Sequence, residues 1–222
     1  MAPSLQAFAS AANNNGSFSS QTTNGWTSVV GNPIIVMHRN ASAQSPSSFG
    51  DSLGNVYTQD VAFTDVYGAR CFLYHAISTH AGTPVFTVNY SPNTQFFCTM
   101  VWEIANPANG VFSYITQASA TNGGTVTSLT TPSFSTIAAN SVIVANSNRN
   151  SGSNITAASG LLSTVDLSGN VFGQNAAHGF QTTPQTGTAT ASYGAGANIP
   201  ALTIAVYGWL QSATRTLMGV GA

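Results

Sequence analysis

Hydrophobic and polar residues alternate along most of the chain in short runs, and this alternation has the period of a β-strand. In residues 84–90, for example, Phe86, Val88 and Tyr90 fall on one face of an extended chain. No segment keeps apolar residues at the 3.6-residue spacing of a helix over three turns, so we expect little helix. Runs bounded by Gly, Pro, Asn and Ser predict strands at 32–40, 55–58, 70–78, 84–90, 95–105, 141–147, 187–193 and 201–210, with weaker candidates at 110–116 and around Phe134, Leu161 and Phe180.

This pattern predicts an all-β protein organised around one sandwich. About ten short antiparallel strands with such connections are typical of a β-sandwich, and their spacing favours a jelly roll. We assign the sandwich to residues 26–212. Residues 1–25 are small and polar and show no sustained period, so we interpret them as an extended N-terminal arm of low complexity that orders only against a neighbour. Residues 213–222 form a C-terminal tail.

The charged fraction of the chain is more unusual than its hydrophobic fraction. Of the 222 residues 43% are hydrophobic, but only 4% are charged, against about 25% in typical soluble domains. There are four arginines, five acids and no lysine, and the formal net charge is −1. We therefore expect neither nucleic acid nor an anionic membrane as a partner. A polar surface with so little mutual repulsion suits a protein that packs against copies of itself or a partner, and it also suits a secreted polar β-protein.

Signals for export or membrane insertion are missing from the sequence. The first residues contain neither a basic region nor a continuous apolar region, so we expect no signal peptide. No window reaches the 18 or more apolar residues of a membrane span. Cys71 and Cys98 both fall in apolar runs of strand type, which predicts two buried free thiols rather than a disulfide.

One short segment occurs twice in altered form, as "DSLGNVYT" at 51–58 and "DLSGNVFG" at 166–173. Asp at the first position and Gly at the fourth are the preferences of a β-turn, in which the carboxylate accepts hydrogen bonds from nearby N–H groups. A calcium loop would need oxygen ligands at alternating positions and a distant Glu, which neither segment has. The flanking residues do not extend the match, so we interpret the two segments as one type of turn used twice rather than as a duplicated module.

Few residues are candidates for catalysis or metal binding. Glu103 is the best single carboxylate for a glycosidase, but no partner carboxylate can be identified, so we expect it to bind an arginine or to cap backbone groups. His75 and His80 have neither a metal-binding spacing for a strand nor a third ligand, which favours single structural or surface histidines. The sequence predicts no catalytic residue, no cofactor site and no metal site, and thus a protein that is not an enzyme.

Aromatic residues raise the alternative of carbohydrate binding, because sugar sites on β-sandwiches use exposed rings as stacking platforms. Trp102 and Trp209 lie in apolar runs, which predicts burial, and Tyr114 is a further candidate ring. Trp26 follows "TTNG" and is the tryptophan whose surroundings predict exposure, although it could equally mark the junction between the arm and the sandwich.

Three segments together resemble a known group of proteins. They are "DSLGNVYT" (51–58), "FLYHAISTHAGTPVFTVNYS" (72–91) and "FFCTMVWEIAN" (96–106). Their succession of a Gly-Asn turn, an aromatic strand and a strand that closes on Glu resembles a loose family of jelly-roll, lectin-like β-sandwich modules. Such modules occur in virion proteins of tailed phages and in bacterial surface proteins, and the resemblance extends over about residues 30–210.

The resemblance, the lack of an export signal and the low charge together suggest a structural virion protein. We expect a capsid decoration or cement protein that assembles in the host cytoplasm, binds the head shell and is exposed on the particle. Its expected partners are the major capsid protein or other virion proteins, together with further copies of itself contacted through the N-terminal arm. A glycan-binding module of a phage fibre or surface protein is the alternative, followed by a polysaccharide hydrolase.

Overall fold

A computed structural model confirms that the protein is all-β. The structure describes residues 2–40, 44–64, 68–105, 110–148, 151–152, 154–167, 175–198 and 201–210. These residues form seventeen strands and no helix, so the described part of the chain contains no helix able to cross a membrane. The strands pair antiparallel in sheets that stack as a β-sandwich, and the finer assignment to a jelly roll stays a prediction.

The chain divides into two halves of similar length. The first half, residues 4–105, contains the strands β1 (Ser4–Thr22), β2 (Pro33–Asn40), β3 (Ser48–Asp51), β4 (Thr58–Thr64), β5 (Arg70–Ile77) and β6 (Phe86–Ala105). The second half, residues 111–210, contains β7 (Val111–Thr121), β8 (Thr125–Thr130), β9 (Phe134–Thr136), β10 (Ser141–Asn148), β11 (Ser151–Gly152), β12 (Ile155–Gly160), β13 (Thr164–Leu167), β14 (Asn175–Gln181), β15 (Gln185–Gly187), β16 (Ala189–Asn198) and β17 (Ala201–Leu210).

The halves have the same strand order. The first sheet runs β1-β6-β2-β5-β4, and β3 pairs with the start of β6. The second sheet runs β7-β17-β10-β14-β13, which is the same order strand for strand. A third sheet pairs β8, β11 and β12 with β16, while β9 and β15 form a separate pair.

Three hydrophobic cores lie between and beside these sheets. The central core, which includes Trp102 and Tyr207, joins the facing sides of the first and second sheets. A second core, around Tyr74, covers the other side of the first sheet. A third core, around Ile204, lies between the second and third sheets. The second sheet is therefore covered on both sides, which explains why β17 is buried from Ala201 to Trp209 and reads as a continuous apolar run.

The predicted N-terminal arm is instead a strand for most of its length. β1 pairs antiparallel with β6, so the prediction that these residues order only against a neighbour is wrong for residues 4–22. Ala and Ser supply much of β1, and side chains so small give little contrast between its two faces. Trp26, predicted to be exposed, is only 4% exposed. The C-terminal tail at 213–222 lies outside the described residues.

The irregularities of the first half recur at the matching positions of the second. β1 has a bulge between Leu5 and Ala7, opposite the adjacent residues Ile104 and Glu103 of β6. β7 has a bulge between Tyr114 and Thr116, opposite the adjacent residues Tyr207 and Val206 of β17. Because a bulge inserts one residue at a single register position, a shared bulge is a strong sign of equivalent strands.

Side-chain contacts follow the same equivalence. Thr23 and Phe86 exchange two hydrogen bonds, of 2.9 and 3.0 Å, and Thr131 exchanges the same two with Ala189, at 2.9 and 3.0 Å. In the first half the hydroxyl of Tyr90 contacts Nε2 of His38, and in the second the hydroxyl of Tyr193 lies 2.5 Å from Oγ of Ser147. The chain is therefore built from two copies of one sandwich.

The sequence does contain this repeat, but not in the register that the two similar segments suggest. Asp51 pairs with Phe86, and the matching pair in the second half is Gly160 with Ala189. Asp51 therefore has no acidic counterpart, so the two similar segments do not mark a duplication, as interpreted, although the chain contains a repeat in another register. The true register aligns "ASAAN" at 9–13 with "ASATN" at 118–122.

Candidate functional site

A short motif occurs at the free edge of each large sheet. β4 begins "TQDV" at residues 58–61, and β13 reads "TVDL" at residues 164–167. In each motif the Thr lies directly opposite a histidine of the neighbouring strand, and the Asp is the bulged residue. A bulge turns a side chain out of the normal alternation, which here brings both carboxylates into the contact between the halves.

Asp60 receives hydrogen bonds from both halves. Its Oδ1 lies 2.7 Å from Nδ1 of His75 on β5, and its Oδ2 accepts a hydrogen bond of 2.9 Å from the hydroxyl of Tyr207 on β17. The Asp60 side chain is 6% exposed and the His75 side chain 19%. Burial, and then the neighbouring Asp60 carboxylate, raises the pKa of Tyr207 well above its ordinary value, so the phenol stays protonated and donates. We call these three residues the first cross-tie.

Asp166 forms the reciprocal arrangement. Its Oδ1 lies 2.6 Å from Nδ1 of His178 on β14, and its Oδ2 accepts a hydrogen bond of 2.8 Å from the indole N–H of Trp102 on β6. The side chains of Asp166 and His178 are 3% and 7% exposed. Here the acid belongs to the second half and the aromatic donor to the first. These three residues are the second cross-tie, and together the two hold the halves from opposite edges.

An Asp–His pair also occurs in hydrolytic triads, where the other ring nitrogen activates a hydroxyl or thiol. Among the described residues, no Ser, Thr or Cys side chain forms a hydrogen bond with Nε2 of either cross-tie histidine. Their rings contact aromatic rings instead, His75 with Phe112 at 6.0 Å and His178 with Phe180 at 5.0 Å between centroids. Nor do the described residues contain a group of three or more His, Cys, Asp or Glu that could hold a metal ion. The aspartate of each Asp–His pair instead forms a hydrogen bond between the halves.

Glu103 is buried, and its carboxylate accepts three hydrogen bonds. The indole N–H of Trp26 donates to its Oε2 at 2.9 Å, while the backbone N–H of Val29 and the side-chain amide of Asn32 donate to its Oε1 at 2.7 and 3.0 Å. As expected, it caps backbone groups at the end of its strand. The three donors fix the segment between β1 and β2. The matching residue of the second half is Val206, so this contact has no counterpart there.

Asp51 is a turn residue, as its sequence context predicts. Its Oδ1 accepts the backbone N–H groups of Leu53 and Asn55, and its Oδ2 accepts the Asn55 amide and the Tyr57 hydroxyl. Both carboxylate oxygens are therefore used within the turn itself. Residues 168–174, which hold most of the second similar segment, lie outside the described residues.

The other candidates lie apart from one another. Trp102 and Trp209 are buried, as predicted, and Tyr114 is partly buried beside the central core. His80 is exposed and contacts its neighbour Thr79 at 2.9 Å, so His75 and His80 do not share a site. Cys71 and Cys98 are free and buried, which confirms their prediction. Burial also raises the pKa of Cys98 to about 12.

Sequence reasoning did not identify Asp60, His178 or Tyr207. The signal that could have found them is the repeated T-x-D-aliphatic motif, followed in each half by a histidine with a small residue after it, "HAI" at 75–77 and "HGF" at 178–180. Each motif is too short to be noticed until the register of the halves is known.

No family model, no curated protein and no solved structure matches the chain. The resemblance to jelly-roll, lectin-like modules of phage and bacterial surface proteins therefore stays a prediction that depends on the three quoted segments alone.

Proposed function

We propose that this protein is a structural component of a tailed-phage particle, a decoration or cement protein that binds the assembled head shell. The proposal depends on the resemblance for its biological setting and on one observation for its mode of action, which is an exposed, uncharged apolar surface at one end of the molecule. We also assign each half to a jelly roll, because β1 pairs with β6 and β2 pairs with β5 in nested order.

Every large hydrophobic side chain that is exposed among the described residues lies at the same end of the strands. We call this surface the apolar end, and it consists of Val29, Val30, Val56, Ile77, Val111, Ile137 and Leu210. In the first half it surrounds the start of β2 and the end of β5. In the second half it includes the first residue of β7 and the last of β17, which pair with each other.

The exposed apolar residues of the two halves lie at the same end of the molecule. The ring of His75 lies 6.0 Å from the ring of Phe112. His75 is two residues before Ile77, and Phe112 follows Val111, so the exposed Ile77 and Val111 lie at the same end of the central core. Several exposed apolar side chains at one end of a protein commonly mark a site of protein contact.

Charge is nearly absent from the apolar end. The described arginines, Arg39 and Arg70, lie at the other end of β2 and β5. Asp60, Asp166 and Glu103 accept hydrogen bonds from internal donors, and Asp51, in the turn that leads to Val56, has both oxygens bound within that turn. A protein contact centred here would desolvate few ions, and stable interfaces are poorest in charge at their centre.

The same observations favour this function over the alternatives. All three tryptophans are buried, so none forms an exposed platform for a sugar ring. A polysaccharide hydrolase needs two carboxylates facing one bond, and the four described carboxylates are each bonded to internal donors.

The test is to add purified protein to capsids assembled without it, at low and at high salt. We expect saturable binding that high salt leaves unchanged, because few charges are available to be screened. The double variant Val30→Ser/Val56→Ser should bind at least about tenfold more weakly, since two apolar side chains leave the contact. Ala157→Ser, an exposed position on β12, is the matched control and should bind normally.

Two results would contradict the proposal. One is binding that disappears at high salt or ignores the double variant. The other is specific binding to an oligosaccharide array, or release of reducing sugar from a polysaccharide, by a protein that does not bind capsids.

A further inference from the structure

In the described part of the chain, the outer edge of β7 lacks hydrogen-bond partners that the matching edge of the first half, on β1, has. β7 is the last strand of the second sheet and pairs along one side, with β17. Its eleven residues include no charged residue and no proline. Edge strands of this kind present unpaired N–H and C=O groups to any strand that approaches, and charges or prolines are the usual protection.

In the first half the equivalent edge is closed by Asn24. The backbone N–H of Ser10 on β1 donates to Oδ1 of Asn24 at 2.8 Å, and the backbone N–H of Asn24 donates to the carbonyl of Ser10 at 3.3 Å. Ser10 thus directs both of its backbone groups away from β6 and has both satisfied within the chain.

In the second half this closure cannot form. Ser119 occupies the position of Ser10, because Ser10 pairs with Met100 and Ser119 with the equivalent Thr203. Pro132 occupies the position of Asn24, because it follows Thr131, the equivalent of Thr23. Proline has no N–H and no side-chain oxygen, so neither hydrogen bond of the first half is available.

The structure agrees with this loss. Ser119 is exposed, and within the described residues its backbone receives no bond from the segment that follows β8. A shallow groove of about 470 Å³ lies between β7 and that segment. Its apolar lining comes from Ile115, Ala118, Pro132, Phe134 and Ile137.

We propose that this edge is a self-association site at which β7 pairs antiparallel with β7 of a second copy. A strand paired antiparallel with itself has twofold symmetry, so each copy closes the edge of the other and the assembly stops at two chains. In such a pair the residues beside the twofold axis lie near their own counterparts, and every other residue lies opposite a different residue of the same strand. Because β7 contains no charged residue, its self-pairing brings no like charges together. The second sheets of the two copies become one continuous sheet.

The remaining edges of the two large sheets are less suited to this role. β4 and β13 are short and carry bulges at Asp60 and Asp166, which bend a strand away from a flat partner. β1 is blocked at Ser10 by Asn24. β7 also has a bulge, at Ile115, but it runs without one from Thr116 to Thr121.

The experiment measures the mass of the purified full-length chain in solution over a range of concentrations, by sedimentation equilibrium without any capsid. Pro132→Asn introduces the closing residue of the first half, and Ser133→Asn is its control beside the same groove. Ser119→Lys places a charge on the open edge, and Ser10→Lys places it on the equivalent closed edge. Thermal melts show whether each variant is folded.

We expect a dimer for the parent chain, for Ser133→Asn and for Ser10→Lys. Pro132→Asn and Ser119→Lys should each raise the dimer dissociation constant at least about tenfold, since strand hydrogen bonds are lost in one case and like charges meet in the other. Amide hydrogens of residues 116–121 should gain exchange protection as concentration rises.

A parent chain that stays monomeric at all concentrations overturns the proposal. So does a dimer that neither Pro132→Asn nor Ser119→Lys weakens, or that weakens equally with Ser10→Lys. Because no capsid is present in this experiment, a failure of the dimer proposal does not affect the proposed binding through the apolar end. A failure of capsid binding likewise does not affect the dimer proposal.

Discussion

Removal of the Asp166 carboxylate should be among the most destabilising single changes at the contact between the halves. The carboxylate accepts hydrogen bonds from Trp102 and His178, and its side chain is 3% exposed. Bonds to a charged group contribute roughly 1.5–3 kcal/mol each, and a buried donor left without its partner cannot turn to water. Asp166→Ala should therefore lower the free energy of unfolding by about 3–5 kcal/mol.

The first cross-tie should be weaker although its geometry is similar. His75 is 19% exposed, so water can replace part of what Asp60 supplies, and Asp60→Ala should cost only about 2–3 kcal/mol. Tyr207→Phe removes just the hydroxyl that donates to Asp60. The double variant should cost about 1–2 kcal/mol less than the sum of the single changes, because both remove the same hydrogen bond.

The measurement is guanidinium unfolding at pH 7, followed by tryptophan fluorescence and by circular dichroism on the same samples. Asp51→Ala supplies the control, because that carboxylate is bonded within its own turn and should show no coupling to Tyr207→Phe. Additive effects of Asp60→Ala and Tyr207→Phe would refute the cross-tie, as would a cost below about 1 kcal/mol for Asp166→Ala.

Three further predictions follow from single residues. Burial lowers the pKa of His38 to about 3, whereas unfolding restores a value near 6.5, so stability should fall as pH drops from 6.5 toward 3 and be about 2 kcal/mol lower at pH 5 than at pH 7 in denaturant titrations. Gly160→Ala should lower the melting temperature far more than Gly54→Ala, because both have positive φ but only at Gly160 would the new Cβ lie 2.2 Å from a carbonyl, that of Thr188. A calcium chelator should leave the melting temperature unchanged, since the Asp51 oxygens already accept four donors, and a fall on chelation would show a bound ion.

Strands could be predicted from the sequence where they are strongly buried. The prediction failed where their side chains are small. β2, β5 and β17 are rich in β-branched and aromatic residues and lie close to their predicted positions. β1 and β12 consist largely of Ala, Ser and Thr, which give little contrast between faces, so β1 was not predicted as a strand and β12 only as a weak candidate around Leu161. The strand predicted at 55–58 begins instead at Thr58, because Val56 is exposed and Asn55 is the buried residue of that turn.

The candidate site could not be read from sequence, because each cross-tie joins residues that no local pattern links. Asp60 and Tyr207 are separated by 147 positions and meet only when the halves pack. The most visible repeat, with Asp51 and Asp166 as its first residues, even indicates the wrong register. Asp166 is equivalent to Asp60, and the second half has three residues (161–163) where the turn that Asp51 organises has six (52–57).

Contacts shared by both halves maintain the fold. Residues that differ between the equivalent positions of the halves are therefore candidates for a specific function. One difference is the exchange of Asn24 for Pro132, which opens the edge of β7. β7 begins at the apolar end, at Val111, and antiparallel pairing reverses one copy against the other. A dimer formed through β7 would therefore carry its two apolar ends in opposite directions.

If the proposed function and the proposed dimer both hold, such a dimer would bind two shell subunits rather than one, as a cement protein must. Linking two sites raises the overall affinity through the effective concentration of the second end, without any new contact. The parent chain should therefore stay on capsids through repeated washing and raise their resistance to heat. Pro132→Asn should keep the affinity of a single apolar end but wash off faster and stabilise capsids less. Equal retention and equal protection by both proteins would show that each apolar end acts alone.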